Sequence, residues 1–349
     1  MAIEKLNALV IGRRDNGQSL NIGGELCTRL TTSRWHLGCV LTSSLVEIHN
    51  DAGVSVHVYD PTNPQEFKDI VEVVKPHIGF VCIPTRDCGE TALAYTRTLI
   101  DAGAKVATAE KGMAAWQFDK IRPFISSVDL SAAVGGGNAF LYTLKRRHLK
   151  GRRITIRAVL NTTNNNIAWE VGDGGSSIDW AVRIASMIGI AEPLKPGQKP
   201  NPITIINGEL WDTVLKICAL MNFVFADDEY LLPTVFGEPA QINEHDLARI
   251  TSVNDRRRVV VTITNIPSDV DDDDDLIAPM HAQFGQYHIT FGFKSIRTGT
   301  VLDKWLPAGI NNGVLLKEDG HVYYFGGPGA GPATVDALMI GAKELLNID

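Results

Sequence analysis

In the first half of the chain, short apolar runs alternate with segments of helical length, and this alternation constrains the fold most. The strand-like runs are residues 6–11, 37–41, 55–59, 78–83 and 105–109. The clearest helix spans residues 88–102, with Gly103 at its expected C-terminal end. Strands that alternate with helices predict a doubly wound parallel sheet with helices on both faces, whose ligands bind at the carboxyl ends of the strands.

The second half of the chain has a different pattern. A basic connector at 145–153 precedes a new strand at 154–160, and 349 residues exceed the size of a single hydrophobic core. Later segments predict two helices and three strands of a mixed sheet: 178–188, 210–220, 259–266, 286–293 and 322–325. We predict a first domain over 1–150 and a second, α+β domain over 151–326. A final helix at 334–346 is long enough to return, so that 327–349 complete the first domain.

Composition excludes several classes of function. With 44% hydrophobic residues, 21% charged residues and a net charge of −7, the chain is typical of a globular protein that does not bind nucleic acid. No segment is typical of a secretory signal or a membrane span. The five scattered cysteines form no CxxC pair, so we expect buried thiols in a reducing, cytoplasmic environment. The aspartate-rich run at 268–275 is expected to be a solvated loop without a metal.

The loops that follow the strands are the expected cofactor site. The loop after the first strand departs from G-x-G-x-x-G, yet its backbone amides remain suited to a pyrophosphate. No acid follows the second strand, so Arg13 and Arg14 favour NADP slightly over NAD; that both arginines only face solvent stays an alternative. The predicted cofactor-binding residues of these loops are Gly12, Arg13, Arg14, Gly17, Ser43, Ile83, Pro84, Thr85 and Lys111.

Three consecutive glycines, at 135–137, follow the fifth strand and the loop that carries Lys111. Because glycine has no Cβ, another backbone, a nicotinamide ring or an ion can approach this segment closely. An ordinary turn is the alternative explanation for the triplet.

Four separated segments resemble homoserine dehydrogenase, in the order of that family and over nearly the whole chain. Thr108-Ala109-Glu110-Lys111 resembles T-A-N-K, residues 133–137 resemble A-S-V-G-G-G, residues 160–165 resemble L-N-G-T-T-N, and residues 327–331 coincide with G-P-G-A-G. In addition, residues 189–193 resemble G-Y-x-E-P. Gly208, Asp212 and Lys216 fall near D-G-x-D-x-x-x-K, and the last two are four apart, on one face of a predicted helix.

The resemblance implies an NAD(P)-dependent dehydrogenase that interconverts aspartate semialdehyde and homoserine, with a Rossmann-like cofactor domain and a second domain for substrate and dimerisation. It implies that Lys216 transfers the proton and that Asp212 orients the Lys216 side chain. Lys111 is implied to face Lys216 from the cofactor domain, and Glu192 to hold the substrate ammonium group. The remaining implied positions are Gly136, Asn161, Thr163 and Asp212 for substrate and Gly329 and Gly331 for cofactor. A homodimer, and the absence of the C-terminal regulatory domain of some members, are expected.

Three departures from the family pattern leave alternatives open. Ser131 replaces the glutamate of the family's monovalent-cation site, so no metal is predicted and a cation near Val134 stays an open question. Ile190 replaces a tyrosine, and residues 194–207, with Lys195 and Lys199, replace an acidic segment. The alternatives are a dehydrogenase for another small carbonyl acid, with an anion near those lysines, or a catalytically silent NAD(P)-binding protein. The direction of the reaction and the choice between NAD and NADP stay open.

Overall fold

The computed structural model describes residues 6–12, 22–31, 35–138, 140–191, 201–227, 229–238, 240–252, 256–270 and 276–348. The chain divides into two compact units, Met1–Ala133 with Gly331–Asp349, and Val134–Ala330. The sequence places the change of domain at residue 150, whereas the compact units divide after Ala133. The segment in between belongs to the second unit because Lys145 donates to the Phe223 carbonyl at 2.8 Å and Tyr142 contacts the Phe223 ring.

Both units combine strands and helices. The described strands are β1 (Leu6–Ile11), β2 (Trp35–Leu41), β3 (Leu45–Asn50), β4 (Gly53–Val58), β5 (Ile78–Val81), β6 (Lys105–Thr108), β7 (Val128–Asp129), β8 (Ile154–Val159), β9 (Arg257–Thr264), β10 (Leu276–Phe284), β11 (Tyr287–Ser295), β12 (Asn311–Glu318) and β13 (His321–Pro328). The described helices are α1 (Ile22–Thr31), α2 (Pro64–Val74), α3 (Glu90–Asp101), α4 (Gly112–Trp116), α5 (Phe118–Ile121), α6 (Phe140–Arg146), α7 (Thr162–Gly172), α8 (Ile178–Met187), α9 (Pro202–Phe225), α10 (Glu244–Ile250), α11 (Val301–Trp305) and α12 (Pro332–Leu346).

The first unit is built on a seven-stranded sheet in the order β4-β3-β2-β1-β5-β6-β7. The five strands β2, β1, β5, β6 and β7 are parallel; the sequence predicts the first four of them and misses β7. The edge differs, because β3 and β4 form an antiparallel hairpin beside β2. The sequence analysis missed β3: the connection between β3 and β4 is the two-residue turn Asp51 and Ala52, which is too short for a crossover helix.

Side chains of the central strands alternate between the two faces of this sheet. Ile78 and Phe80 belong to one core cluster with Leu26 of α1 and Leu338 of α12, all fully buried. The intervening Gly79 lies against Leu99 of α3 on the opposite face. The expectation that the final helix returns to the first unit is therefore confirmed, and helices cover both faces.

The second unit is built on a six-stranded sheet in the order β10-β11-β9-β8-β12-β13. All its described pairings are antiparallel, so the prediction of a mixed sheet is wrong. The sequence analysis missed β10 and β12. Each is the first strand of a hairpin: β10 is joined to β11 by the turn 285–286, and β12 is joined to β13 by the turn 319–320. Helix α7 packs against β9 and β12.

The cysteines differ in part from their expected burial. Cys27, Cys39 and Cys218 are buried, Cys82 is half-buried and Cys88 is exposed; all five are free thiols. Cys88 is exposed because it lies in the loop before α3 and not in the core. Burial raises the pKa of the Cys39 thiol to about 12. Among the described helices, none combines the length and the apolar character that crossing a bilayer requires.

Candidate functional site

The carboxyl ends of β1, β5 and β6 lie side by side at one edge of the first sheet. Gly12 follows β1 with φ of +107°, and its amide donates to the Leu41 carbonyl at 2.9 Å. A Cβ at Gly12 would lie 2.4 Å from the Cys82 carbonyl oxygen, so only glycine lets β1 end against the loop that follows β5. Of the predicted cofactor residues, Gly12 and the half-buried Ile83, Pro84 and Thr85 therefore meet at this edge.

Glu110 joins the loops that follow β5 and β6. Its side chain is almost fully buried and accepts hydrogen bonds from the amides of Gly112 and Met113, each at 2.7 Å. It also accepts one from the Thr85 hydroxyl. The sequence analysis quoted Glu110 inside the segment that resembles T-A-N-K and gave it no role. An acid two residues before a helix start was the available signal, because a carboxylate there can satisfy free helix amides.

Lys111 stands next to this carboxylate, at the residue that precedes α4. It is half-buried, as are Thr85 and Ala109 near it on the two loops. Two backbone bonds and one hydroxyl bond to Glu110 thus fix the backbone that carries Lys111. The predicted proximity of Lys111 and Lys216 stays a prediction.

The other predicted cofactor residues are placed as follows. Ser43 is exposed in the turn after β2. In this turn the Thr42 hydroxyl oxygen accepts hydrogen bonds from the amides of Ser44 and Leu45. Gly331 precedes α12 with φ of +65°. Arg13, Arg14 and Gly17 lie outside the described residues, as do Glu192, Lys195, Lys199 and the run Asp271–Asp275.

In the second unit, Asn161 begins α7 and connects it to α9. Its side-chain oxygen accepts from the Asn164 amide at 2.8 Å, and its nitrogen donates to the Glu209 carboxylate at 2.8 Å. Asn161 and Glu209 are both buried. The Thr163 hydroxyl donates to the Ile190 carbonyl at 2.6 Å, which fixes the segment that leads to Glu192. Asn161 and Thr163 thus have structural bonds; their predicted contact with substrate stays a prediction. Nothing in the sequence pointed to Glu209.

Asp212 and Lys216 share one face of α9, as predicted from their spacing. The Lys216 ammonium lies 2.9 Å from the Asp212 carboxylate, and each side chain is 14% exposed in a helix that is otherwise largely buried. One turn earlier, Gly208 is exposed, and a Cβ there would meet no atom within 4 Å. The ion pair is therefore mostly buried, one helical turn from an exposed glycine.

The glycine triplet contacts the end of β13 and the residue that follows it, Gly329; both segments belong to the second unit. Gly136 has φ of +59°, and a Cβ there would lie 2.5 Å from the Gly329 carbonyl oxygen. The Asn138 side-chain nitrogen donates to the carbonyls of Gly135 at 2.6 Å, Gly327 at 3.1 Å and Pro328 at 3.2 Å. Two of the glycine segments that carry the family resemblance are thus neighbours, and Asn138, which the sequence analysis did not single out, holds them together.

The described residues contain no group of three or more His, Cys, Asp or Glu side chains able to hold a metal ion. Ser131, which stands where the family has its glutamate, donates instead to the buried Asp129 carboxylate at 2.6 Å.

The topology of the described edge of the first sheet is suited to a dinucleotide, because β1 lies at the switch point of the strand order, between β2 and β5. Ligands of doubly wound sheets bind at such a point.

Comparison by sequence identifies no matching family model and no matching curated protein. Solved structures match over the full length. Homoserine dehydrogenase from Thermoplasma acidophilum is 16% identical with a TM-score of 0.66, covering 99% of this chain and 100% of that one. A hyperthermophilic archaeal homoserine dehydrogenase in complex with NADPH is 16% identical with a TM-score of 0.64, covering 99% of both chains. A Candida auris protein of unknown function is 15% identical with a TM-score of 0.67, covering 98% of both. This chain has the fold of the homoserine dehydrogenases.

Proposed function

We propose that the protein is an NAD(P)-dependent oxidoreductase of the homoserine dehydrogenase type, which interconverts a small amino-acid-like aldehyde and its alcohol. The observation that carries this proposal is the largely buried ion pair of Asp212 and Lys216 on one face of α9. The structural similarity to homoserine dehydrogenases supports the proposal, because it extends over nearly the full length of both chains.

The bound nicotinamide supplies the hydride in reduction and takes it up in oxidation. Reduction of an aldehyde leaves negative charge on the substrate oxygen, which the Lys216 ammonium neutralises and protonates. Asp212 holds the lysine in position through the 2.9 Å contact. Lys111 is the second proposed catalytic lysine, and Glu192 is proposed to bind the substrate ammonium group. Gly136, Asn161 and Thr163 shape the substrate side, with Gly329 and Gly331 toward the cofactor.

Aspartate semialdehyde and homoserine are the proposed substrate pair. NADPH is the proposed cofactor in preference to NADH, in keeping with the archaeal enzyme that was solved with NADPH. We place the protein in the cytoplasm because its five cysteines are free thiols. A homodimer that pairs the second unit's sheet with its twin completes the proposal.

The test is NADPH oxidation at 340 nm by the purified protein with aspartate semialdehyde. A positioned proton donor contributes about a hundred- to ten-thousandfold, so Lys216→Ala should lower kcat by roughly that factor. Asp212→Asn should lower it less, because the lysine remains. Lys317→Ala is the matched control: Lys317 also pairs with an aspartate, at 3.1 Å, and should leave kcat unchanged.

Binding of NADPH, followed by its fluorescence, separates the competing functions. Lys216→Ala should bind NADPH as the wild type does, because the proposal assigns Lys216 to proton transfer and not to binding of the cofactor. An inactive wild type that still binds NADPH would favour a silent binding protein. Turnover of other small carbonyl acids, with aspartate semialdehyde inert, would favour the divergent dehydrogenase. Full activity in Lys216→Ala would remove Lys216 from its assigned role.

A further inference from the structure

The outer strand of the first sheet, β4, exposes an apolar face. Val54, Val56 and Val58 are 57%, 56% and 80% exposed, and they alternate along the strand, so all three lie on one face. Three exposed valines at one sheet edge form a contiguous apolar strip and not scattered surface residues.

The free backbone groups of β4 belong to the same three valines. The Tyr59 amide donates to the Ser44 carbonyl at 2.9 Å, which makes these two a hydrogen-bonded pair of the hairpin. In an antiparallel ladder such pairs alternate, so Ser55 and His57 bond to β3, while Val54, Val56 and Val58 direct their N–H and C=O groups away from it. Among the described strands β4 is the last of its sheet, and these groups have no strand partner.

The usual protection of an edge strand is missing from β4. Natural edges carry Lys, Pro, a bulge or an inward charge. Residues 53–58 contain no proline and no Asp, Glu, Lys or Arg. The edge strand β10 of the second sheet shows the contrast, since it has Pro279 and an irregular register between Ile277 and Met280.

We propose that β4 is an interaction surface for a second copy of this chain, with two β4 strands paired antiparallel about a two-fold axis at Val56. The sequence Val54-Ser55-Val56-His57-Val58 has the same apolar pattern in both directions. In this register Val56 faces its twin, Val54 faces Val58, and Ser55 faces His57. A two-fold interface requires such a self-complementary patch.

This register satisfies backbone and side chains together. The outward N–H and C=O groups of the three valines form about six hydrogen bonds between the copies, because each opposed pair exchanges two. All six valines lie on one face, where opposed β-branched side chains contact each other. No charged residue of β4 opposes another. This pairing is separate from the homodimer proposed for the second unit's sheet, and the two associations would give a tetramer if their two-fold axes intersect at right angles.

The experiment measures molar mass by light scattering for wild type, Val56→Pro, Val56→Asp and Val73→Asp. Proline at 56 removes an outward donor and no bond to β3, so the hairpin should persist. Both changes at 56 should lower the mass of the assembly to about half. Val73→Asp is the control, since Val73 is 70% exposed on α2 and should leave the mass unchanged.

Two further readouts test the register itself. Hydrogen exchange at the amides of Val54, Val56 and Val58 should slow as protein concentration rises, and exchange at Ser55 and His57 should not change. Val56→Cys, in a Cys88→Ser background with oxidised glutathione, should form a disulfide dimer, because paired Cα atoms about 5.5 Å apart allow that bond. Val73→Cys should not.

An unchanged mass in Val56→Pro and Val56→Asp, together with fast, concentration-independent exchange at the three valine amides, would overturn the proposal. Val56→Cys monomers with protected valine amides would also overturn it, since the pairing would then involve another register or partner. Because no readout uses catalysis, failure here is distinct from failure of the proposed dehydrogenase function.

Discussion

Backbone strain is concentrated in the loop that joins β5 to α3, beside the predicted cofactor edge. Asp87, Cys88 and Gly89 have φ of 42°, 55° and 78°, and only the last is a glycine. Left-handed backbone costs a residue with a Cβ about 1–2 kcal/mol. The chain tolerates this cost because Gly89 lies against α4: a Cβ there would be 2.3 Å from the Met113 nitrogen.

Replacing Cys88 with glycine should therefore stabilise the protein. Glycine removes the left-handed strain of the folded state, and this gain exceeds the free energy by which the extra entropy of glycine stabilises the unfolded chain. The free energy of unfolding should therefore rise by about 0.5–1 kcal/mol. Gly89→Ala is the opposing variant and should lower it by more than about 1 kcal/mol, because the new Cβ meets backbone. Urea unfolding checks both, and a Cys88→Gly protein less stable than wild type would contradict the reading.

Individual residues show where sequence reasoning succeeded and where it stopped. The spacing of Asp212 and Lys216 correctly predicted one helix face, because four residues make nearly one helical turn. Glu110 and Glu209 carry no comparable pattern. Their partners Thr85 and Asn161 are 25 and 48 residues away, so only the folded sheet and the contact of α7 with α9 bring them together.

At the scale of elements, a partly buried contact joins β8 and β12 to the turn after β9. Asp269 accepts a hydrogen bond from the Thr155 hydroxyl at 2.6 Å and pairs with Lys317 at 3.1 Å. These contacts lower the pKa of Asp269, the Thr155 hydrogen bond most strongly, while burial opposes the change.

Stability should therefore depend on pH through Asp269. Because the pKa is lower in the folded state, the contribution is complete above the unfolded pKa of about 3.9 and is lost as pH falls through the folded pKa. Asp269→Asn should cost about 1–2 kcal/mol at pH 7, and this difference from wild type should shrink below about pH 4. Unfolding at pH 7 and pH 3 measures it.

Two variants separate the causes of this shift. Thr155→Val should raise the pKa of Asp269, as followed by NMR titration, by more than Lys317→Ala does, because the Thr155 bond is the larger cause. A stability difference between wild type and Asp269→Asn that persists unchanged at pH 3 would exclude the linkage.

The predicted elements were most accurate where the apolar pattern is local and least accurate at sheet edges. Strand β1 has the predicted bounds, and the helix prediction for 88–102 differs from α3 only at its ends. The predicted strand 55–59 became half of a hairpin, because nothing in its sequence distinguishes an exposed antiparallel strand from a parallel one. Strand β12 was missed although Val314 and Leu316 are fully buried, since the local sequence does not show that this segment pairs with β8 and β13.

At the scale of the whole molecule, the first unit is discontinuous: its core uses both ends of the chain. Val335, Leu338 and Ala342 of α12 are fully buried in the cluster that includes Leu26 and Phe80. The return of the C-terminal helix was predictable from its length and apolar spacing. The division of the units after Ala133 was not, because it depends on contacts of α6 with α9.

The stability of the predicted cofactor edge should therefore depend on a residue more than 200 positions away in sequence. Leu338→Ala should lower the free energy of unfolding by about 2–5 kcal/mol, the usual cost of such a cavity. Ile340→Ala is the matched control, since Ile340 is 57% exposed and its loss should cost under about 0.5 kcal/mol. Hydrogen exchange locates the effect: amides of β6 should exchange faster in Leu338→Ala, because α12 packs on β6, while those of β9 keep their rates. Equal acceleration in β9 would mean that the two units unfold as one, and that the discontinuous unit has no stability of its own.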